Sequence, residues 1–133
     1  MKRTVKPKYA TPERCAERDD WAAEHYFCWL CEVQRKQWHD GNTTHEIVER
    51  SKSVQPYALH NYARLCMDCH RKVQGRGHKW RCMCWALKSL FDPDNYDLRS
   101  GMEMLGRKDV DDTRASVETM AWTFAAMLET PKL

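Results

Sequence analysis

The chain has 133 residues with a formal net charge of +3, and 42% of its residues are hydrophobic. A length of this order suits one domain with at most one appended element, and it allows only a small hydrophobic core. No apolar run is long enough to cross a bilayer and no apolar segment follows the basic start, so we expect a cytoplasmic protein that neither enters a membrane nor is exported.

Charge is unevenly distributed along the chain. Residues 1–91 hold 17 Lys and Arg against 10 Asp and Glu, whereas residues 92–133 hold 5 against 9. The basic first part favours a polyanionic partner such as nucleic acid, although solvated surfaces also show differences of this size. In a reducing compartment the seven cysteines favour metal binding over disulfides.

The first elements predicted are a basic arm and a helix. Residues 1–11 lack apolar periodicity, and we expect an arm that either follows a phosphate backbone or only aids solubility. Thr11, Pro12 and Glu13 are typical of a helix start, because Thr accepts from the first amides, Pro fits the first turn and Glu favours the positive end of the helix dipole. A helix is therefore predicted over 12–26.

The middle of the chain alternates cysteine pairs with strand-like segments. The turn at 39–42 contains Asp-Gly and Gly-Asn, which favour positive φ, and the following segment is rich in Thr, Ile and Val. Glycines at 75 and 77 favour a helix end before them. The predicted elements are strands over 33–38 and 43–49, a loop over 51–62 with a helical turn at 57–60, a strand over 63–65 and a helix over 67–74.

Helical periodicity dominates the remainder of the chain. Helices are predicted over 79–91, 96–105 and 111–129. The first carries an apolar stripe of Trp80, Met83, Cys84, Leu87 and Phe91, and the last places Val117, Ala121, Phe124 and Leu128 on one face. The predicted division of the chain is a basic arm over 1–11, a core over 12–91 and a helical extension over 92–133.

Two Cys-x-x-Cys pairs predict a structural zinc site. Cys28 and Cys31 form one pair, Cys66 and Cys69 the other, and 34 residues lie between them. The two-residue spacing lets both sulfurs of a pair reach one ion at about 2.3 Å, and four thiolates complete a tetrahedral site. We expect this zinc to supply much of the folding energy of the segment.

A second structural zinc would have to use the remaining cysteines. Cys82 and Cys84, with His78 and Cys15, offer enough donors in principle. On a helix, however, Cys-x-Cys directs its sulfurs to different sides, and Cys84 already belongs to the apolar stripe. We therefore do not expect these residues to bind a second zinc.

Polar residues between the cysteine pairs resemble a nuclease motif. The chain reads His45-Glu46, then Asn61 after 15 residues, then His70 nine residues later and directly after Cys69. This order, interleaved with the cysteine pairs over about 50 residues, resembles the HNH endonucleases, or ββα-metal nucleases, in their zinc-knuckle form. The resemblance implies an α+β fold, a small ββα-metal (HNH) core with a four-cysteine zinc knuckle, flanked by an N-terminal helix and C-terminal helices.

The resemblance also implies roles for individual residues. His45 and His70 fall on ligand positions for a catalytic divalent metal such as Mg²⁺, Mn²⁺, Ni²⁺ or Zn²⁺. Asn61 falls on the position whose amide fastens the loop and orients the base. Glu46 stands where the family's general base, normally His, would be, as in a His-Glu subgroup of phage-type members. A Glu is ionised at neutral pH and can accept a proton from water.

Further positions in the sequence bear on this site. His60 is a substitute base. Gln74 stands at the family's third ligand position, where it is a poor ligand, and His78 lies farther on, beyond Gly75 and Gly77. Trp29 and Trp38 either stack on bases or, as we favour, cover the zinc knuckle. The predicted phosphate contacts are Arg50, Lys52, Arg64, Arg71, Lys72 and Arg76.

The sequence thus favours one function and leaves alternatives open. The first is a phage or mobile-element HNH endonuclease that nicks DNA or cleaves it with weak specificity. The second is a zinc-stabilised DNA-binding or adaptor protein with a degenerate HNH core. The third is a nuclease active only within a larger phage packaging or recombination complex, where residues 92–133 would bind a protein partner.

Overall fold

The computed structural model describes residues 10–35, 40–50 and 57–129. Within these ranges the protein is an α+β structure, mostly helical, with a small antiparallel sheet of two strands. In chain order the elements are α1 (Pro12–Glu24), α2 (Trp29–Val33), β1 (Thr43–Glu46), β2 (Tyr62–Leu65), α3 (Met67–Val73), α4 (His78–Phe91), α5 (Leu98–Met104) and α6 (Val110–Glu129). Short 3-10 turns cover Leu59–Asn61 and Pro93–Asn95.

The first helix begins where the sequence predicts. The Thr11 hydroxyl accepts a hydrogen bond from the Arg14 amide at 3.2 Å, and Pro12 is the first helical residue. Trp21 is the residue that α1 buries, and its ring meets those of Trp29 and Tyr62 at centroid distances of 5.9 and 5.8 Å. This aromatic contact packs α1 against α2 and the sheet.

The predicted strand over 33–38 is wrong in its described part. Val33 is the last residue of α2, and Arg35 adopts a positive φ of 53°. Helix α2 begins because Cys28 takes the N-cap position, where its sulfur accepts from the Cys31 amide at 3.5 Å. Residues 36–38 lie outside the described ranges.

The two strands of the sheet are therefore not a local hairpin. Strand β1 pairs with β2, with Thr43 opposite Leu65 and His45 opposite Ala63. The segment before β1 forms only a bridge between Phe27 and Asp40. The predicted strand over 43–49 is confirmed over its first four residues, and the strand–strand–helix order is β1, β2 and α3.

Helix α4 is the centre of the core. Residues 81–88 are buried without interruption, so the predicted one-sided stripe is too narrow. The helix is covered by α2, β2 and above all α6, which lies along it and buries Thr113 and Val117. Ala121, Phe124 and Leu128, the other residues of the predicted α6 face, also pack against this core. Trp21 of α1 and Val117 of α6 belong to the same hydrophobic cluster.

A charged pair lies inside this core. Lys88 is fully buried, and its ammonium donates to the carbonyls of Leu59 and Tyr62 and to Asp92 at 3.0, 2.7 and 2.9 Å. The Asp92 carboxylate also accepts from the Trp21 indole at 2.8 Å. All three ammonium protons thus have acceptors, as a buried lysine requires. No helix in the described part of the chain is both long enough and apolar enough to cross a membrane.

Candidate metal centre

The two cysteine pairs meet in one buried cluster. The sulfurs of Cys28, Cys31, Cys66 and Cys69 all lie within 4.8 Å of one another. Cys31 Sγ is 3.9 Å from Cys66 Sγ and 3.7 Å from Cys69 Sγ. Four sulfurs placed tetrahedrally at about 2.3 Å from zinc would be separated by about 3.8 Å. The cluster can therefore hold a metal ion such as zinc.

Burial opposes ionisation of these thiols when no cation is present. Burial raises the pKa of Cys31 to about 12 and, together with the nearby Cys28 thiol, raises the pKa of Cys69 well above its usual range. Burial alone would also raise the pKa of Cys66, but hydrogen bonds from the Cys69 amide and from the neighbouring thiols lower it. A bound cation would reverse this balance, since thiolates are the ligating form.

A histidine pair lies beside the cysteine cluster, in an open cleft of about 470 Å³. Strand β1 supplies His45, and α3 supplies His70, which directly follows Cys69. The two Nδ1 atoms are 3.0 Å apart, with the rings edge to face. The cysteine cluster fixes the start of α3 and thereby brings His70 to the strand. The cleft is lined by Thr44, His45, Glu46, Glu49, Arg50, His70 and Gln74.

Both imidazoles are held in the neutral form. Burial lowers the pKa of His45 to about 4. The neighbouring His70 also lowers this pKa, and Glu49 has a smaller effect in the opposite direction. The pKa of His70 is also lowered, by burial and then by Arg71. Neutral imidazoles are the form that ligates metals, and they do not serve as acids at neutral pH.

Each of two carboxylates in the cleft is paired with an arginine. Glu46 Oε1 accepts from Arg50 at 2.8 Å, and Arg50 in turn lies over the Tyr57 ring. Both oxygens of Glu49 accept from Arg81 of α4, at 2.9 and 3.2 Å. Glu49 and Arg81 were not singled out as site residues from the sequence, because their pairing joins positions 32 residues apart.

The Asn61 side chain fastens the segment that follows β1. Its Oδ1 accepts from the Val48 amide at 2.9 Å, and its Nδ2 donates to the Val48 carbonyl at 3.1 Å. The Asn61 carbonyl also accepts from the Ile47 amide at 2.8 Å. These bonds continue the strand pairing beyond Glu46 and hold in place the backbone that carries the cleft carboxylates. Asn61 itself is fully buried and does not line the cleft.

The predicted phosphate contacts within the described residues come from several elements of the fold. Arg50 lines the histidine cleft, and Arg71 and Lys72 are exposed on α3. Arg76 is exposed beyond the end of α3. Arg64 lines a different cleft on the sheet, and Lys52 lies outside the described residues.

Other residues named from the sequence lie away from the histidine pair. His60 lines a separate cleft with Arg14, Glu17 and Tyr96, so it is not placed to act as a substitute base. Gln74 lines the histidine cleft, whereas His78 contacts Cys82 at 3.5 Å. Trp29 is fully buried against Phe91 and cannot stack on a base, and Trp38 lies outside the described residues.

Cys15 and Cys84 do not belong to the four-cysteine cluster. Apart from the four clustered cysteines, no three His, Cys, Asp or Glu residues of the described ranges gather closely enough to share an ion. Cys84 is buried in α4, and Cys15 is half-buried beside the Ala10 carbonyl. In the histidine cleft, His45 and His70 offer two imidazole ligands, and Glu46 and Glu49 line the same cleft.

Comparison with protein-family models, curated proteins and solved structures gives no match for this chain.

Proposed function

We propose that the protein is a metal-dependent HNH endonuclease that hydrolyses DNA phosphodiester bonds, by nicking or by weakly specific cleavage. The observation that carries the proposal is the pair of imidazole nitrogens 3.0 Å apart, one from β1 and one from α3, at the side of a cysteine cluster. The strand–strand–helix order and the backbone contacts of Asn61 agree with the arrangement that the sequence resemblance implies. A phage or mobile-element source, with action in the host cytoplasm, belongs to the same proposal.

The residues present fit two metal ions with different tasks. The cysteine cluster suits a structural zinc. His45 and His70 would hold a catalytic ion such as Mg²⁺, Mn²⁺, Ni²⁺ or Zn²⁺, because two neutral imidazoles that face each other at 3.0 Å can both be ligands of one ion. When bound, such an ion supplies charge neutralisation at the scissile phosphate and at the leaving oxygen.

The remaining cleft residues would bind and orient the substrate and move the proton. Glu46 lies at the cleft, where its carboxylate can accept a proton from the attacking water. Arg50 donates to this carboxylate at 2.8 Å and would also contact a phosphate oxygen of the bound DNA. Arg81 holds Glu49 by both oxygens, which keeps a second negative charge near His45. Arg71 and Lys72, exposed on the same helix as His70, would contact the flanking phosphates.

Nicking of supercoiled plasmid tests the proposal directly. Protein that retains its structural zinc would be assayed with Mg²⁺, Mn²⁺, Ni²⁺ or Zn²⁺, beside His45→Ala, His70→Ala and Glu46→Gln. We expect no nicking without an added divalent ion, and loss of about 10²- to 10⁴-fold in each variant. His60→Ala is the matched control, because this histidine lines another cleft, and it should nick like the wild type.

A second function, a DNA-binding or adaptor protein, has one observation in its favour. Glu46 is paired with Arg50, and the cleft of the described residues presents only two imidazole ligands. DNA binding by a wild type that nicks with none of the four ions would favour this function. Nicking that begins only when a protein partner is added would instead favour a nuclease that works inside a larger complex, with residues 92–133 as the docking element.

A further inference from the structure

A second cleft lies on the sheet next to the histidine cleft. It has a volume of about 550 Å³, and Thr44 lines both clefts. The two clefts therefore share one residue of β1, the strand that also carries His45. The second cleft is lined by Asp19, Ala22, Ala23, Tyr26, Asp40, Gly41, Asn42, Thr44 and Arg64.

Arg64 is held firmly in this cleft. Its Nη1 donates to the Thr44 hydroxyl at 2.8 Å, across the sheet from the paired position on β1. Its aliphatic stem lies against the bare backbone of Gly41, where an added Cβ would approach Arg64 Cγ to 2.6 Å. A guanidinium fixed in this way loses little conformational entropy when it binds an anion.

Arg64 has no carboxylate partner among the described residues. No carboxylate of the described ranges lies within ion-pair distance of its guanidinium, and Asp19 pairs instead with Arg18 at 3.7 Å. Its Nε is buried without a hydrogen-bond partner. Burial lowers the pKa of Arg64. A half-buried cation without a counter-charge is a site prepared for an external anion.

The other groups in the cleft suit the rest of a nucleotide. Tyr26 is 61% exposed, and its ring is braced edge-on by Phe27 at 5.7 Å. An exposed, braced aromatic ring can stack on a base. The carboxylates of Asp19 and Asp40 at the cleft can accept hydrogen bonds from the N–H groups of a base.

We infer that this second cleft binds one nucleotide of the DNA strand next to the scissile phosphate. Arg64 binds its phosphate group, and the Tyr26 ring stacks on its base. The inference rests on the proposed function for the identity of the polymer and deepens it, because the cleft fixes the strand beside the histidine pair. The base must be unstacked to meet Tyr26, so a single strand binds here better than a duplex.

Binding to a short fluorescein-labelled DNA strand tests the inference without any cleavage. Fluorescence anisotropy would be measured over a range of salt concentrations on zinc-loaded protein with no added divalent ion. We expect Arg64→Gln to weaken binding about tenfold and to reduce the salt slope by about one. Tyr26→Ala should weaken binding about fivefold or more, whereas Tyr26→Phe should bind like the wild type.

Arg99→Gln is the control for the change in charge. Arg99 is exposed on α5, a helix that lines neither cleft, and its loss changes the net charge by the same amount. Equal affinities and salt slopes for Arg64→Gln and Arg99→Gln would overturn the inference. So would full competition by inorganic phosphate, or an unchanged affinity in Tyr26→Ala, because each would reduce the cleft to a plain anion site.

The outcome is independent of the nicking assay. If the wild type nicks plasmid and Arg64→Gln binds DNA normally, the proposed function stands and the nucleotide cleft is refuted. If the wild type never nicks, but Arg64→Gln and Tyr26→Ala bind DNA more weakly than the wild type, the nucleotide cleft stands and the nuclease function is refuted. Zinc content and thermal unfolding of each variant separate lost binding from lost folding.

Discussion

The Asn61 side chain takes the place of a backbone strand partner. Its amide bonds to both polar groups of the Val48 backbone, as a residue of a neighbouring strand would. Val48 is fully buried, so its N–H and C=O have no access to water. The Asn61 side chain therefore helps to hold the segment that carries Glu49 in position.

Substitution Asn61→Ala should lower the free energy of unfolding by about 2–4 kcal/mol, because it leaves two buried backbone groups unpaired. Urea unfolding of the zinc-loaded protein measures this cost. The matched control is Asn42→Ala, at an exposed position, which should change the free energy by less than about 0.5 kcal/mol. Equal costs for the two variants would show that the Val48 contacts contribute nothing.

The buried Lys88 makes a second prediction at the scale of single residues. Asp92→Ala leaves the ammonium in the core without its counter-charge, and we expect a loss of about 3–5 kcal/mol. Asp97→Ala is the control, since Asp97 only caps α5 at the surface and should cost about 1 kcal/mol. Thermal or urea unfolding compares the two, and a cost for Asp92→Ala no larger than that of Asp97→Ala would contradict the charge argument.

At the scale of elements, the cysteine cluster organises two helices at once. Cys28 is the N-cap of α2 and Cys66 is the N-cap of α3, so each pair begins a helix and directs its thiols to the same point. Both helices are short, at five and seven residues, and helices of this length do not persist in isolation. A metal ion at the cluster would therefore hold both helix starts together.

Removal of zinc should unfold this region. We expect one zinc per chain, and we expect a strong chelator, or the substitution Cys69→Ser, to remove it together with helical circular dichroism and cooperative unfolding. Cys15→Ser is the matched control, because Cys15 lies outside the cluster, and it should keep the full zinc content. A Cys69→Ser variant that retains zinc and folds normally would refute a structural ion.

The sequence predicted those elements whose signals are local. Thr11 with Pro12 placed the start of α1, and Gly75, with its positive φ, marks the end of α3. The strand predicted over 33–38 is wrong in its described part: Val33 has strand propensity, but it is the last residue of the helix that Cys28 caps. The helix cap formed by Cys28 thus outweighs the strand propensity of Val33, and this cap belongs to the folded cysteine cluster.

Pairings between distant segments explain what the sequence did not predict at the site. The cysteine cluster could be predicted from spacing alone, and the geometry places its four sulfurs together. The partner of β1, the Glu49–Arg81 pair and the burial of α4 on all sides arise from tertiary contacts. Nothing in the local pattern around Arg81 or Lys88 distinguishes them from surface residues of an amphipathic helix.

At the scale of the whole molecule, α6 completes the core that supports the site. It lies along α4, whose residues 81–88 would otherwise be exposed on that side. The same stretch of α4 carries Arg81, which holds Glu49, and Lys88, which holds the carbonyls on either side of Asn61. The acidic extension is therefore connected to the cleft through α4.

A chain that ends at residue 109 should not fold cooperatively, because it lacks the helix that covers α4. Near-ultraviolet circular dichroism and zinc content would both fall well below those of the full chain. Trp122→Ala in the full chain is the control, since this side chain is 79% exposed, and its unfolding should change by less than about 0.5 kcal/mol. A truncated chain with native spectra would show that the extension is a separate docking element.

The adjacency of Cys69 and His70 links the proposed hydrolysis to the redox state of the cell. Phosphodiester hydrolysis is not a redox reaction. However, His70, a proposed ligand of the catalytic ion, lies on α3, and the start of this helix carries Cys66 and Cys69 of the cysteine cluster. An oxidant that joins two of these sulfurs removes two of the four donors, which frees the ion and releases His70 from β1. Peroxide should therefore abolish the proposed nicking activity, and a thiol reductant supplied with zinc should restore it.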